Sequence, residues 1–231
     1  MNSERWVAKV VLFDSLWHRH RESSDLLDRD QEMMLASAAR QNTGMALGQT
    51  EELTRLEQSL EHIRKAPADR GTVELIARRP AEDEREILAE AVLDSEVGLV
   101  GDTWIARGST RTPDGSPNLE SQLTVMNARV AAAIAGERER WALAGDQLYL
   151  DFDISRANLP AGTRVQVGTA VIEFSEAPHT GCSKFSGRFG VDALRFVNSP
   201  IGRELRLRGA NCRVVVAGTV RPGDEITKLP D

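Results

Sequence analysis

The segment Leu148-Tyr-Leu-Asp-Phe-Asp-Ile154 places Leu148, Leu150, Phe152 and Ile154 at every second position, with Tyr149, Asp151 and Asp153 between them. Successive side chains of a strand point to opposite faces, so this alternation predicts a strand with one face in a core. Working outward, the same period of two recurs in short segments: Val73–Ala77, Gln122–Met126, Arg164–Val167, Thr169–Phe174, Arg213–Val216 and Glu225–Ile226, separated by Gly, Pro, Asn and Asp. Two helical interludes interrupt them. Asn127 is placed to cap Ala128–Ala135, with Gly136 behind it, and Val191–Val197 has helical spacing. Many short strands with few helices predict a mainly β (α+β) fold, a barrel or a sandwich closed to remove its edges.

Upstream the period is helical. Ser24 can cap a helix running to about Arg40, and Thr50 caps a second one with Glu51 and Glu52 in its first turn. Leu53, Leu56, Leu60 and Ile63 form one stripe of that second helix, which ends near Lys65. Residues 1–65 therefore read as a helical N-terminal extension, and the strand-rich domain begins after Gly71. The apolar stripes must pack on that domain or on a second copy of the chain, so a homo-oligomer through the N-terminal helices is an expectation.

The chain has 231 residues, 41% of them hydrophobic, which suffices for a packed core. Twenty-nine Lys and Arg against 35 Asp and Glu give a net charge of −6, so a basic surface for nucleic acid or anionic lipid is not expected. No apolar run approaches the length of a membrane helix and no signal peptide is evident, so the expected location is cytoplasmic. Two cysteines, Cys182 and Cys212, are too few for a disulfide framework.

The charge is uneven. Between Pro178 and Arg213 seven bases face Asp192 and Glu204 alone, a local excess of five. That window holds the loop Pro178-His-Thr-Gly-Cys-Ser-Lys-Phe-Ser-Gly-Arg-Phe-Gly190, in which Cys182 lies between His179 and Lys184. Glycines permit close approach of backbone to a ligand, and a neighbouring cation favours the thiolate, the form that acts as nucleophile or soft-metal ligand. The bland reading is a buried cysteine in a tight turn, and spacing alone does not decide between the two.

Here the chain resembles a known family. His179-Thr-Gly-Cys182-Ser-Lys184-Phe185, Arg188-Phe-Gly190, Asp192-Ala193, Arg206-Leu-Arg208-Gly209 and Gly218-Thr-Val220-Arg-Pro-Gly223-Asp224 are similar to the MOSC domain, the molybdenum cofactor sulfurase C-terminal domain. Gly98-Leu-Val-Gly101-Asp102 resembles its early signature, and Ala144-Gly-Asp146-Gln-Leu148 its middle segment, with Gln147 where Asn is common. The resemblance covers about residues 71–229 and implies a strand-rich barrel. It also implies one of two roles for Cys182: a ligand of molybdenum cofactor, or a carrier of persulfide sulfur.

Either role needs a deprotonated thiol, and molybdopterin adds a phosphate. Lys184, Arg188, Arg206 and Arg208 would supply the cationic wall, with Arg suited to bidentate contact. Arg206 and Arg208 alternate, so on a strand they would share a face. His179 is a candidate catalytic hydrogen-bond or proton donor, while Gly181 and Asp102 are candidate cofactor-binding positions. Asp146 and Asp224 read as turn residues and Cys212 as a small core residue.

The leading expectation is a molybdenum-cofactor protein that binds through Cys182 and reduces N-hydroxylated small molecules, with a redox partner. The alternatives are a sulfur carrier loaded by a pyridoxal-phosphate-dependent cysteine desulfurase, and a non-catalytic assembly module. Zinc is disfavoured, because His179, Cys182 and Cys212 lack a fourth ligand at the usual spacing. A nucleotide-binding glycine loop and a Gly-x-Ser-x-Gly elbow are absent from the sequence.

Overall fold

In the computed structural model, which describes residues 51–230, each of the seven segments expected as strands contains one, the segment Leu148–Ile154 only as far as Asp151. In chain order the strands are β1 (Arg70–Arg78), β2 (Glu86–Leu88), β3 (Ala91–Asp94), β4 (Gly98–Leu99), β5 (Leu123–Asn127) and β6 (Leu148–Asp151). They continue as β7 (Arg164–Val167), β8 (Ala170–Phe174), β9 (Ala210–Val216), β10 (Gly218–Val220) and β11 (Glu225–Lys228). The seven foreseen ones form a closed barrel in the order β11-β7-β8-β9-β5-β6-β1, with β1 returning to β11 through Arg70↔Thr227 and Thr72↔Glu225. Closure leaves no edge within this ring to template aggregation. All its pairings are antiparallel except β5–β6, where Val125 lies opposite Leu148.

The four strands not foreseen are two to four residues long and lie outside the ring. β2 extends β1 beyond the point where β11 departs, and β10-β3-β4 form a separate small sheet. Segments this short show too few positions for alternation to register.

Alternation sorts the side chains into two cores. Leu148, Leu150 and Phe152 join Leu123, Val125, Ile172, Phe174, Cys212 and Val214 in the barrel interior, while Tyr149 and Met126 face outward under a helical layer. Strand β1 breaks the period: Val73 and Ile76 share the interior although three residues apart. A register shift between Val73 and Leu75 in the pairing with β6 accounts for this, because a bulge inserts one residue and re-aims those after it.

The outer layer is built from the helix Ala128–Ala135, the turn of helix Arg138–Ala144, and the helix Ser183–Asn198. Asn127 caps the first as expected, its side chain accepting from Arg129 N at 2.8 Å, and Gly136 ends it. Residues 51–58 and Leu60–Arg64 are also helical. Leu56 and Ile63 are buried in this second core, and Arg129 Nη1 donates to His62 O at 2.9 Å. The helix expected over 24–40 lies outside the described residues. No described helix is long and apolar enough to cross a membrane.

One expected loop is largely helical. Helix begins at Ser183, directly after Cys182, and is broken at Gly190, where φ 89° and ψ 167° are not helical; it then resumes through Asn198. The sequence reading placed only Val191–Val197 in helix, because glycines at 187 and 190 read as loop. Gly187 instead sits within a helical turn with open space beside it.

Candidate functional site

The peptide after Gly145 sets the geometry. A turn of helix over Arg138–Ala144 ends at Gly145, whose φ of 94° is the left-handed conformation that glycine adopts without a Cβ penalty. The last carbonyls of a helix have no partner within it. Here three consecutive ones each receive an arginine: Leu143 O from Arg188 Nη1 at 2.8 Å, Ala144 O from Arg208 Nη2 at 2.8 Å, and Gly145 O from Arg79 Nη1 at 3.3 Å. Three guanidinium groups from distant parts of the chain are thus aimed at one place.

That place is a cleft of about 540 Å³. Cys182 lines it and is exposed, standing at the start of its helix. Lys184, Arg188 and Arg208 line it too, so four of the residues singled out from sequence converge. Arg79, Arg85 and Arg107 complete the wall, giving six cations around the thiol. These three arginines were missed because they lie outside the basic window, far upstream of the cysteine in sequence.

Their charges are unequally compensated. Arg79 is paired with Asp102 at 2.8 Å and Arg208 with Asp146 at 2.6 Å, both carboxylates buried behind the wall. Asp83, on the segment joining β1 to β2, reaches Lys184 at 3.2 Å and Arg188 at 3.1 Å, and Glu82 also meets Lys184 at 3.2 Å. Among the described residues, Arg85 and Arg107 have no carboxylate ion-pair partner, and Arg85 Nε is buried with no hydrogen bond. Burial, and then the neighbouring guanidinium groups of Arg188 and Arg79, push the Arg85 pKa down. Burial followed by Arg79 does the same to Arg107, against Asp102. Among the described residues, Glu82 and Asp83 are the acids that line the cleft with these six cations, so its wall carries an excess of positive charge.

The remaining candidates lie elsewhere. Asp102 does not face the cleft; its carboxylate accepts from Arg79 N, Nε and Nη2 and from Trp104 N, which holds Arg79 in place from behind. Gly181 packs on the helix that follows it: Asn198 accepts from Gly181 N at 3.0 Å, and a Cβ there would stand 2.6 Å from Leu194 Cδ1. Arg206 and Arg208 do not share a strand face, because β9 starts at Ala210 and Arg206 lies in a turn at φ 50°. Arg206 turns away, donating from Nη1 to Leu159 O at 2.6 Å and Ile154 O at 3.3 Å over the Phe174 ring.

His179 also leaves the thiol's cleft. It lines a second cavity of about 370 Å³ on the other side of Arg208, the one side chain among the described residues common to both linings. Its Nδ1 lies 3.5 Å from Asp146 Oδ1, and neither atom has a hydrogen-bond partner. Burial, then Arg208, Arg79 and Arg111, hold the imidazole pKa well below the usual histidine range, so it is neutral. Cys212 is fully buried in the barrel, where desolvation pushes its thiol up, in keeping with a core residue.

No family model and no curated protein matches this chain. Among solved structures it is similar to the YuaD protein from Bacillus subtilis, at 17% identity and a TM-score of 0.50, over 68% of this chain and 94% of that one. It is also similar to YiiM from Escherichia coli, at 17% identity and a TM-score of 0.46, over 69% and 70%. The likeness is one of fold. It supports a MOSC-like β-barrel.

Proposed function

We propose that this is a MOSC-type protein whose six-cation cleft holds molybdenum cofactor, with the Cys182 sulfur as the ligand supplied by the chain. The observation that carries the reading is the meeting in one cleft of an exposed thiol with Arg85 and Arg107, two arginines that form no ion pair among the described residues. The donor set suits that group. Among the described residues no cluster of three His, Cys, Asp or Glu could hold a bare metal ion, so a metal here must bring its own chelator, as a pterin dithiolene does. A phosphate on the same molecule would engage the guanidinium wall.

When bound, the molybdenum centre would supply two-electron oxygen-atom chemistry, and reduction of an N-hydroxylated small molecule is the reaction proposed. The chain's own residues bind and orient. Arg79, Arg188 and Arg208, anchored on carbonyls 143–145, would hold the phosphate with their geometry already set, which would lower the ordering cost of binding. Phe185, buried beside Arg208 with its ring 5.0 Å from the guanidinium carbon, walls the thiol's side of the cleft from the core.

Protein produced in a cofactor-competent host should contain molybdenum by elemental mass spectrometry, and C182A should lose it while melting at the same temperature. Wild-type protein of intact fold that repeatedly carries neither molybdenum nor pterin would overturn the proposal. The exposure of Cys182 favours a second reading, a persulfide carrier, since a donor enzyme could reach the thiol. Incubation with a cysteine desulfurase would then add one sulfur to Cys182 in the intact mass, and C182A would remain unlabelled.

A further inference from the structure

The second cavity has a lining unlike that of the cleft. Four arginines reach it, Arg156, Arg203, Arg206 and Arg208, and not one of its lining residues is acidic. Arg156 is paired with Glu176 and Arg208 with Asp146. Among the described residues, Arg203 and Arg206 have only carbonyl partners: Arg203 Nε donates to Asn198 O, and Arg206 Nη1 to Ile154 O and Leu159 O. The other N–H groups of Arg206, a residue with 7% of its surface exposed, make no hydrogen bond to the described residues. A buried guanidinium without a counter-charge calls for an anion.

The opposite wall supplies an acceptor. One proton between His179 Nδ1 and Asp146 Oδ1 satisfies both unpartnered atoms, and with Asp146 ion-paired to Arg208 that proton belongs on Nδ1. The neutral ring then presents Nε2, a lone-pair acceptor, to the cavity it lines. Gly209 keeps this corner open, since a Cβ there would stand 3.1 Å from both Asp146 Oδ1 and His179 Nδ1.

We propose that this cavity is a second ligand site, separate from the thiol's cleft, for a small oxyanion that carries a proton of its own: hydrogenphosphate, a phosphate monoester or an α-hydroxycarboxylate. Arg203 and Arg206 donate to its anionic oxygens and His179 Nε2 accepts from its hydroxyl. At about 370 Å³ the cavity is of the size that holds a small metabolite. The site is independent of whether Cys182 binds molybdenum or sulfur.

Calorimetric titration of the full chain with inorganic phosphate, methyl phosphate and glycolate, in chloride buffer, tests it. R203Q should weaken one binding event about tenfold, as expected for loss of a charge-assisted bond, with R203K restoring part of the loss. K184Q, in the cleft, should leave that event unchanged. Nitrogen-resolved NMR should show His179 protonated on Nδ1 and its Nε2 resonance moving on saturation. Preference among the three anions identifies the source of the oxyanion. Absence of binding at tens of millimolar, or binding abolished by K184Q and indifferent to both R203Q and H179Q, would overturn the site.

Discussion

His179 was legible in the sequence as a residue near the chemistry, because it stands three positions before Cys182. Its surroundings were not, since Asp146 and Arg208 come from other parts of the chain. Burial of a neutral imidazole has a consequence for stability. Its folded-state pKa lies well below the unfolded value of about 6.5, so the unfolded chain takes up a proton first as pH falls. Stability is therefore complete above that value and declines below it, by at most about 1.4 kcal/mol per pH unit from this residue. Asp146 acts in the opposite sense, because burial raises its pKa and protonation in acid favours the folded form. H179Q should isolate the histidine: urea denaturation between pH 7 and 5 should show a shallower loss than in the wild type. Equal slopes would mean that the imidazole is not buried as described. Asp102 teaches the same lesson at lower stakes. The turn signal found the residue, but its task of holding Arg79 depends on a contact 23 positions away.

At the scale of elements, the segment joining β1 to β2 is the part of the cleft that can yield. Asp83 adopts a left-handed backbone, φ 58°, which is uncommon for a residue with a side chain, and its carboxylate occupies Lys184 and Arg188. These same cations hold its pKa below the usual carboxylate range, the hydrogen bond from Lys184 contributing most. An incoming anion competes with this carboxylate. D83N should accordingly tighten pyrophosphate binding in the cleft by about two- to fivefold, the range set by exposed ion pairs, as read by titration at fixed ionic strength. Unchanged or weaker affinity would show that Asp83 does not oppose the ligand. Nothing in a local pattern announces this segment, because its importance comes from a helix a hundred positions later. The element that was misread, the loop after Cys182, failed for the converse reason. Glycine is a weak helix former, yet tertiary packing of Phe185 into the outer core overrides propensity there.

For the molecule as a whole, the seven strands of the ring were legible as strands, because a barrel interior imposes alternation on most of those that line it, although several bounds differ by two or three residues and β1 breaks the period at its bulge. The helical layer on its outside was legible only in part. Residues 51–64 show the stripe Leu53, Leu56, Leu60 and Ile63, but which surface receives it is a matter of long-range packing: Leu56 has no exposed surface and belongs to the core formed with Val130, Tyr149 and Phe196. L56A should cost roughly 2–5 kcal/mol, as large-to-small changes in a close-packed core do, and chemical denaturation should read it. A loss below about 0.5 kcal/mol, typical of surface positions, would mean that the helix does not dock on the barrel.

The three carbonyls of Leu143, Ala144 and Gly145 have one more implication. Because they belong to three consecutive residues at the end of one helical turn, the orientations of Arg188, Arg208 and Arg79 share one determinant. Substitutions of these arginines will not add like independent sites, and a change at Gly145 acts on all three together. The cleft's charge is divided among six side chains, but its shape is inherited from one bend in the backbone.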